Sequence, residues 1–116
     1  MNETLGQKQR RFTQYVALLI QYAYARGYEL SFGEAYRTPE QARLNAKAGT
    51  GIANSLHTLR LAIDLNLFKD GQYLARSEDY EPLGKFWEAL APDCCWGGRF
   101  SRPDGNHFSI THNGVK

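Results

Sequence analysis

Phe12, Tyr15, Val16, Leu19, Tyr22 and Ala23 recur every three or four positions, the period of a helix with one buried face. The stripe predicts a helix from about Leu5 to Arg26, with Gly27 as its stop. Arg10 and Arg11 ahead of the run, and Ala23-Tyr24-Ala25 at its end, imitate a signal peptide. Thr13, Gln14 and Gln21 interrupt the apolar stretch, so we read a core helix kept in the mature protein, too short in its apolar run to span a membrane. Tyr28 to Phe32 alternates apolar and polar residues, which predicts a strand. Thr38, Pro39 and Gln41 open a second helix as N-cap, first helical residue and capping-box partner, and it ends near Ala48. Gly49-Thr50-Gly51 and Asn54-Ser55 form a flexible loop.

Leu61 to Phe68 reads as a strand with Leu61, Ile63, Leu65 and Leu67 on one face and Ala62, Asp64 and Asn66 on the other. Lys69-Asp70-Gly71 turns the chain, and Gln72 to Leu74 returns as a paired strand. Ser77 to Leu90 holds a third helix, with Pro82 tolerated only in its first turn. Trp96 to Phe100 is a short strand or tight loop, Ser101 to Asn106 a turn-rich loop, and His107 to Ile110 a last strand. Together these predict an α+β fold, a single compact domain over residues 1–116 with a small antiparallel sheet and about three helices.

Composition narrows the class. The 116 residues are 42% apolar and 22% charged, which excludes collagen-like, disordered and membrane-spanning chains. A net charge of +2 lacks the density of a nucleic-acid binder. The two cysteines, Cys94 and Cys95, are adjacent, so no disulfide framework exists, and we read them as small buried hydrophobes.

Two of the three histidines, His57 and His107, keep unusual company. His57 precedes Asp64, a carboxylate in a strand whose other face is aliphatic. His107 follows Asp104 by three residues at a loop-to-strand junction. Two histidines and one carboxylate suit a catalytic zinc with an open position for water, and a second, unbound carboxylate can take that water's proton. His57, Asp64 and His107 are then the ligands and Asp104 the base. His57 and Asp64 are too far apart on one extended strand to share an ion, so the chain must turn back, most simply at Thr58 to Arg60. The third histidine, His112, reads as an exposed tail residue.

Ser55, His57, Ala62 and Asp64 resemble the Ser-x-His-x-x-Gly-x-Ala-x-Asp signature of the M15 zinc peptidases. Asp104-x-x-His107 is similar to that family's second motif, acid-x-x-His, and Tyr36 to Gln41 resembles its upstream arginine segment. Trp96-Gly97-Gly98 also resembles the stretch before the second motif, so the likeness spans about Phe32 to Ile110. Arg60 stands where the signature carries Gly, so any positive φ there falls on an arginine.

The resemblance implies an M15/Hedgehog-like zinc peptidase fold with one zinc per chain on His57, Asp64 and His107. It implies Asp104 as proton acceptor and donor, and Arg37 as the group that stabilises an oxyanion or grips a substrate carboxylate. Ser55 and Trp96 are implied as supporting or substrate-contacting residues. The Asp-x-x-His form resembles that of phage L-alanyl-D-glutamate endopeptidases, whereas D-Ala-D-Ala carboxypeptidases more often carry Glu-x-x-His. The expectation is a monomeric phage or prophage endolysin cutting the L-Ala–D-Glu bond of the peptidoglycan stem peptide, with no nucleic-acid partner and no stable membrane insertion. Such an enzyme is made in the host cytoplasm without a cleaved signal peptide, and acts on the periplasmic wall after membrane permeabilisation. Two alternatives stay open: a D-Ala-D-Ala carboxypeptidase of the same fold, and a non-catalytic, zinc-stabilised peptidoglycan-binding module.

Overall fold

Thr4 opens the first helix, α1 (Leu5–Ala25), with a full capping box: its side chain accepts from the Gln7 N–H, and the Gln7 side chain accepts from the Thr4 N–H. The computed structural model describes residues 3–49, 51–52 and 54–116; Thr50 of the predicted loop lies outside them. Phe12, Val16, Leu19 and Ala23 are buried along one side of α1, as the stripe required. Tyr22 stacks on Phe86, and Phe12 meets Trp87 edge-on. The remaining elements are β1 (Glu29–Phe32), α2 (Pro39–Ala48), β2 (Ala62–Lys69), β3 (Gln72–Leu74), α3 (Glu81–Leu90), β4 (Cys94–Trp96) and β5 (His107–Ile110). No helix among the described residues is long and apolar enough to cross a membrane.

β2 is the centre of the sheet. β1 runs antiparallel along one side, while β5 and then β3 share the other; β4 pairs outside β5. Ile63, Leu65 and Leu67 of β2 and Phe108 and Ile110 of β5 point to the face covered by α1 and α3, where Trp87 and Tyr80 complete the core. The opposite face carries Asp64, Asn66 and Phe68, so alternation sorts polar from apolar positions as expected.

Four expectations are corrected. The stretch from Trp96 to Phe100 is neither one strand nor one loop: the edge strand β4 begins at Cys94, which is buried as read, runs through the half-buried Cys95 and ends at Trp96, after which Gly97–Arg99 forms a 3-10 turn. The third helix is divided, because a 3-10 turn at Ser77–Tyr80 precedes α3 and Pro82 takes the first α-helical turn. Thr38 does cap α2 through the Gln41 N–H, but the Gln41 side chain turns to Asn45 instead of closing a capping box. His112 is half-buried rather than an exposed tail. Its backbone pairs with Val115, and its Nδ1 lies 3.2 Å from Lys8 Nζ, which also donates to the Thr111 carbonyl at 2.7 Å.

Candidate metal centre

The β2–β5 register sets Asp64 directly opposite His107. Both are polar positions of the face turned away from the helices, so the ladder itself brings a carboxylate and an imidazole together. His57 arrives from a 3-10 turn at Leu56–Leu59. Ser55 caps that turn, its Oγ accepting from the His57 N–H at 3.2 Å, and Thr58 Oγ1 donates to the Ser55 carbonyl at 2.6 Å. Arg60 then adopts φ 56°, ψ 37°, and the Leu61 N–H closes onto the Leu56 carbonyl at 3.0 Å. This is the reversal that the spacing of His57 and Asp64 demanded. The left-handed conformation falls on an arginine, whose guanidinium lies 4.0 Å from the centroid of the Tyr36 ring.

One segment, 33–37, holds both of these residues in place. The Gly33 N–H donates to the Asp64 carbonyl and the Asp64 N–H to the Glu34 carbonyl, each at 2.8 Å. The Arg37 N–H donates to the His57 carbonyl at 3.1 Å. His57 Nδ1 is 3.1 Å from the Ala35 carbonyl, which can only accept, so Nδ1 carries the proton and Nε2 presents a lone pair. A Cβ on residue 33 would sit 3.1 Å from Asp64 Cβ and from its carbonyl oxygen, so glycine permits this approach.

His57 Nε2 and His107 Nδ1 lie 3.4 and 3.5 Å from the same atom, Asp64 Oδ1. One ligand atom from each residue falls within 4.8 Å of the others. Zinc bonds of ~2.0–2.1 Å in a tetrahedron space neighbouring ligand atoms ~3.3–3.4 Å apart, close to these separations. Asp64 Oδ1 is buried with no hydrogen-bond partner, an unfavourable state that a cation there relieves; His107 Nε2, on the far side of its ring from Oδ1, is buried without a partner as well. Burial acts to raise the Asp64 carboxyl, but His107 and His57 outweigh it and hold it down at about 2, so it is an anion at neutral pH. Burial disfavours a charged His57, yet Asp64, the Ala35 carbonyl and Glu34 together raise its pKa. Two imidazoles around one anionic oxygen fit a single zinc ion in donor type and spacing.

The other predicted residues stand around this cluster. Asp104 is exposed overall, but local desolvation and the charge of Asp64 raise its carboxyl, against the pull of His107 and His57. Its backbone is fixed by the Asp104 N–H to the Gly97 carbonyl (2.9 Å) and by the His107 N–H to the Asp104 carbonyl (3.0 Å). A Cβ at residue 97 would come within 2.2 Å of that carbonyl oxygen, so only glycine fits before this loop. Asp104 also lines a polar recess of about 190 Å³ with Tyr73, Ser77 and Asn106.

Arg37 is half-buried and forked onto Glu34, with Nε 3.0 and 3.1 Å from the two carboxylate oxygens and Nη2 closing on Oε1. Glu34 raises the already high pKa of that guanidinium, and its Oε1 lies 3.9 Å from His57 Nδ1. Trp96 is 3% exposed and does not reach the surface; its Nε1–H holds the Gly105 carbonyl at 2.7 Å, beside Asp104. Ser55 acts on His57 through its backbone rather than its ring. The one signal for Glu34 in the sequence is its place three residues before Arg37. Nothing in its side-chain neighbours announced the carbonyl of Ala35 as the group that orients His57.

Residues 48–110 match the model of a peptidase M15 family described as D-alanyl-D-alanine carboxypeptidase, more than half of the chain and a span that contains His57, Asp64, Asp104 and His107. No curated protein sequence matches significantly. The fold is similar to the crystal structure of the Serratia marcescens L-Ala D-Glu endopeptidase ChiX, with a TM-score of 0.74 and 21% identity, over 88% of this chain and 79% of that one. It is also similar to the D,D-pentapeptidase VanY from a VanB-type vancomycin resistance cassette, crystallised as a Glu-to-Ala mutant with Zn(II). There the TM-score is 0.60 and identity 20%, over 88% of this chain and 71% of that one.

Proposed function

The chain belongs to the M15 peptidases, and from that premise we propose that it hydrolyses the L-Ala–D-Glu bond of peptidoglycan stem peptides. The observation that carries peptidase chemistry is the buried, unpartnered Asp64 Oδ1 between His57 Nε2 and His107 Nδ1. His57, Asp64 and His107 would hold a zinc ion, which would supply a Lewis acid and a water acidic enough for attack at neutral pH. Asp104 takes the proton of the attacking water and returns it to the leaving amine. Arg37, held by Glu34, stabilises the negative charge that develops on the substrate carbonyl or grips a nearby carboxylate. Ser55 and Trp96 position His57 and the Asp104 loop. Residues 1–116 act as one catalytic unit in this reading.

The choice of bond rests on Asp104-x-x-His107. The fold itself is shared by an L-Ala D-Glu endopeptidase and a D,D-peptidase and does not choose between them. One observation favours the second reading, D-Ala-D-Ala carboxypeptidase: the family model carries that description. Mass spectrometry of digested muropeptides separates them. A cleaved L-Ala–D-Glu bond with the D-Ala termini intact supports the endopeptidase; free D-Ala with that bond intact overturns it. Retained wall binding with neither product would favour the non-catalytic module.

The biological setting we propose is phage or prophage lysis. The protein works as a monomer, is made in the host cytoplasm and meets the periplasmic wall after the membrane is permeabilised. Retention of α1 is consistent with this, since Leu19 and Ala23 are wholly buried in the core and a cleavage after Ala25 would remove them.

A further inference from the structure

The sheet face that carries Asp64 and His107 does not end at them. Asn66 and Phe68 follow Asp64 on the same side of β2. Ser31 of β1 stands opposite Asn66, and Tyr73 of β3 opposite Phe68. Asn66 Nδ2 lies 3.3 Å from Ser31 Oγ, which fixes the amide plane. The Phe68 and Tyr73 rings are 5.5 Å apart, and Tyr73 is 54% exposed. A strip therefore leads away from the centre: hydroxyl and amide first, then an accessible aromatic surface. Ser31, Asn66, Phe68 and Tyr73 carry no charge. Glu29 lies opposite Phe68 at the far edge, and the polar recess beside Asp104 opens between Tyr73 and Asn106.

We propose that this strip, from Asn66 to Tyr73, is a saccharide subsite that contacts the muramic acid sugar to which the stem peptide is joined. The proposal rests on the peptidoglycan reading above. Its chemistry is that of sugar recognition: an aromatic face takes the C–H side of the ring, while amide and hydroxyl groups take its oxygens and acetamido group. An uncharged strip gives nothing to the carboxylates that lie beyond the scissile bond, and these fit the arginine beside the centre instead. The dimensions agree. Six covalent bonds join the scissile carbonyl carbon of L-Ala to the sugar ring, ~7–8 Å when extended. Along β2 the strip begins two residues and ends four residues from Asp64, ~7 to ~13 Å away. A sugar so tethered lies over Asn66 and against Tyr73.

Two measurements test this. The first compares kcat/KM for a disaccharide-tripeptide and for the N-acetylated tripeptide without sugar. The intact protein should prefer the sugar-bearing substrate, and Tyr73→Ala should lower the ratio of the two values by ~5–10-fold, whereas Tyr73→Phe keeps most of it. The second is an NMR titration of the zinc-loaded protein with peptide-free glycan strands, which should perturb Asn66, Phe68 and Tyr73 and needs neither catalysis nor the variant. A ratio near one in the parent, with no perturbation by glycan, overturns the subsite. If neither substrate is cut at L-Ala–D-Glu but glycan still perturbs these residues, the bond assignment fails and the subsite stands.

Discussion

Asp104 and His107 share a loop and a motif, yet they ask for different experiments. Asp104 lies outside the cluster of ligand atoms, so Asp104→Asn should leave folding and zinc content intact while lowering kcat by ~10²–10⁴-fold. His107→Ala removes a nitrogen beside Asp64 Oδ1, so it should lose zinc and activity together. Elemental analysis alongside the kinetics separates the two roles; an Asp104→Asn protein with parental kcat would leave Asp104 a turn residue only. Arg60 is a case in which magnitudes nearly cancel. Left-handed backbone costs an L-residue ~1–2 kcal/mol, but a glycine there would give up ~0.5–1 kcal/mol in chain entropy and ~0.5–1 kcal/mol of stacking on Tyr36. Arg60→Gly should therefore shift the urea-unfolding free energy by less than ~0.5 kcal/mol. Arg60→Val loses the stacking and adds β-branched strain, and should destabilise by ~2 kcal/mol. On these magnitudes an arginine can hold the left-handed position, its backbone strain offset by the contact with Tyr36.

At the scale of elements, α1 supplies the clearest test of its own reading. Leu19 is fully buried and Leu18 is 40% exposed, one residue apart on the same helix. Leu19→Ala should cost ~2–5 kcal/mol and Leu18→Ala less than ~0.5 kcal/mol, measured by denaturant unfolding. Equal effects would mean that the stripe is not what binds α1 to the sheet. Helix α1 is also tied by Arg11, which forks onto Asp93 at 3.0 and 2.7 Å. That pairing holds the Asp93 carboxyl below its ordinary range. A lowered folded-state pKa stabilises the fold above the unfolded pKa and is lost as pH falls through the folded one. The stability difference between parent and Asp93→Asn should accordingly be present at pH 7 and shrink on acidification below pH ~4. What was legible follows from these distances along the chain. Helical stripes, the Thr38 cap and the alternation of β2 are written within a few neighbouring residues. β4 was not, because Cys94-Cys95-Trp96 is too short to show alternation and is a strand only through pairing with β5. Lys8 on Thr111 and His112, and Asp93 under Arg11, join positions that no local pattern relates.

For the whole molecule, the question is whether metal and fold are one cooperative unit. The candidate centre lies on the polar face of the sheet, while Trp87, Phe108, Leu65 and Leu67 close the core on the other, fully buried and independent of any ion. That separation explains why the grouping of His57, Asp64 and His107 was legible in the sequence: two short motifs carry the three residues, and a two-sided sheet lets one face hold them while the other provides the stability. It also predicts a graded response to metal removal. A ligand that binds only the folded state adds RT ln(1 + [L]/Kd), ~2.7 kcal/mol when free zinc is at a hundred times its Kd. For a chain of this size that corresponds to a Tm ~10 °C higher than in the zinc-free protein. Chelation should lower Tm by about that amount while leaving the far-UV circular dichroism at 20 °C unchanged. The buried oxygen of Asp64 left without a partner then becomes a local cost, not a cause of unfolding. In His107→Ala the Tm should no longer respond to zinc, and this control ties the shift to the centre rather than to metal bound elsewhere. A chelated protein that has lost its secondary structure would show that the apolar face cannot hold the fold alone. A Tm indifferent to zinc in the parent would remove His57, Asp64 and His107 as its site.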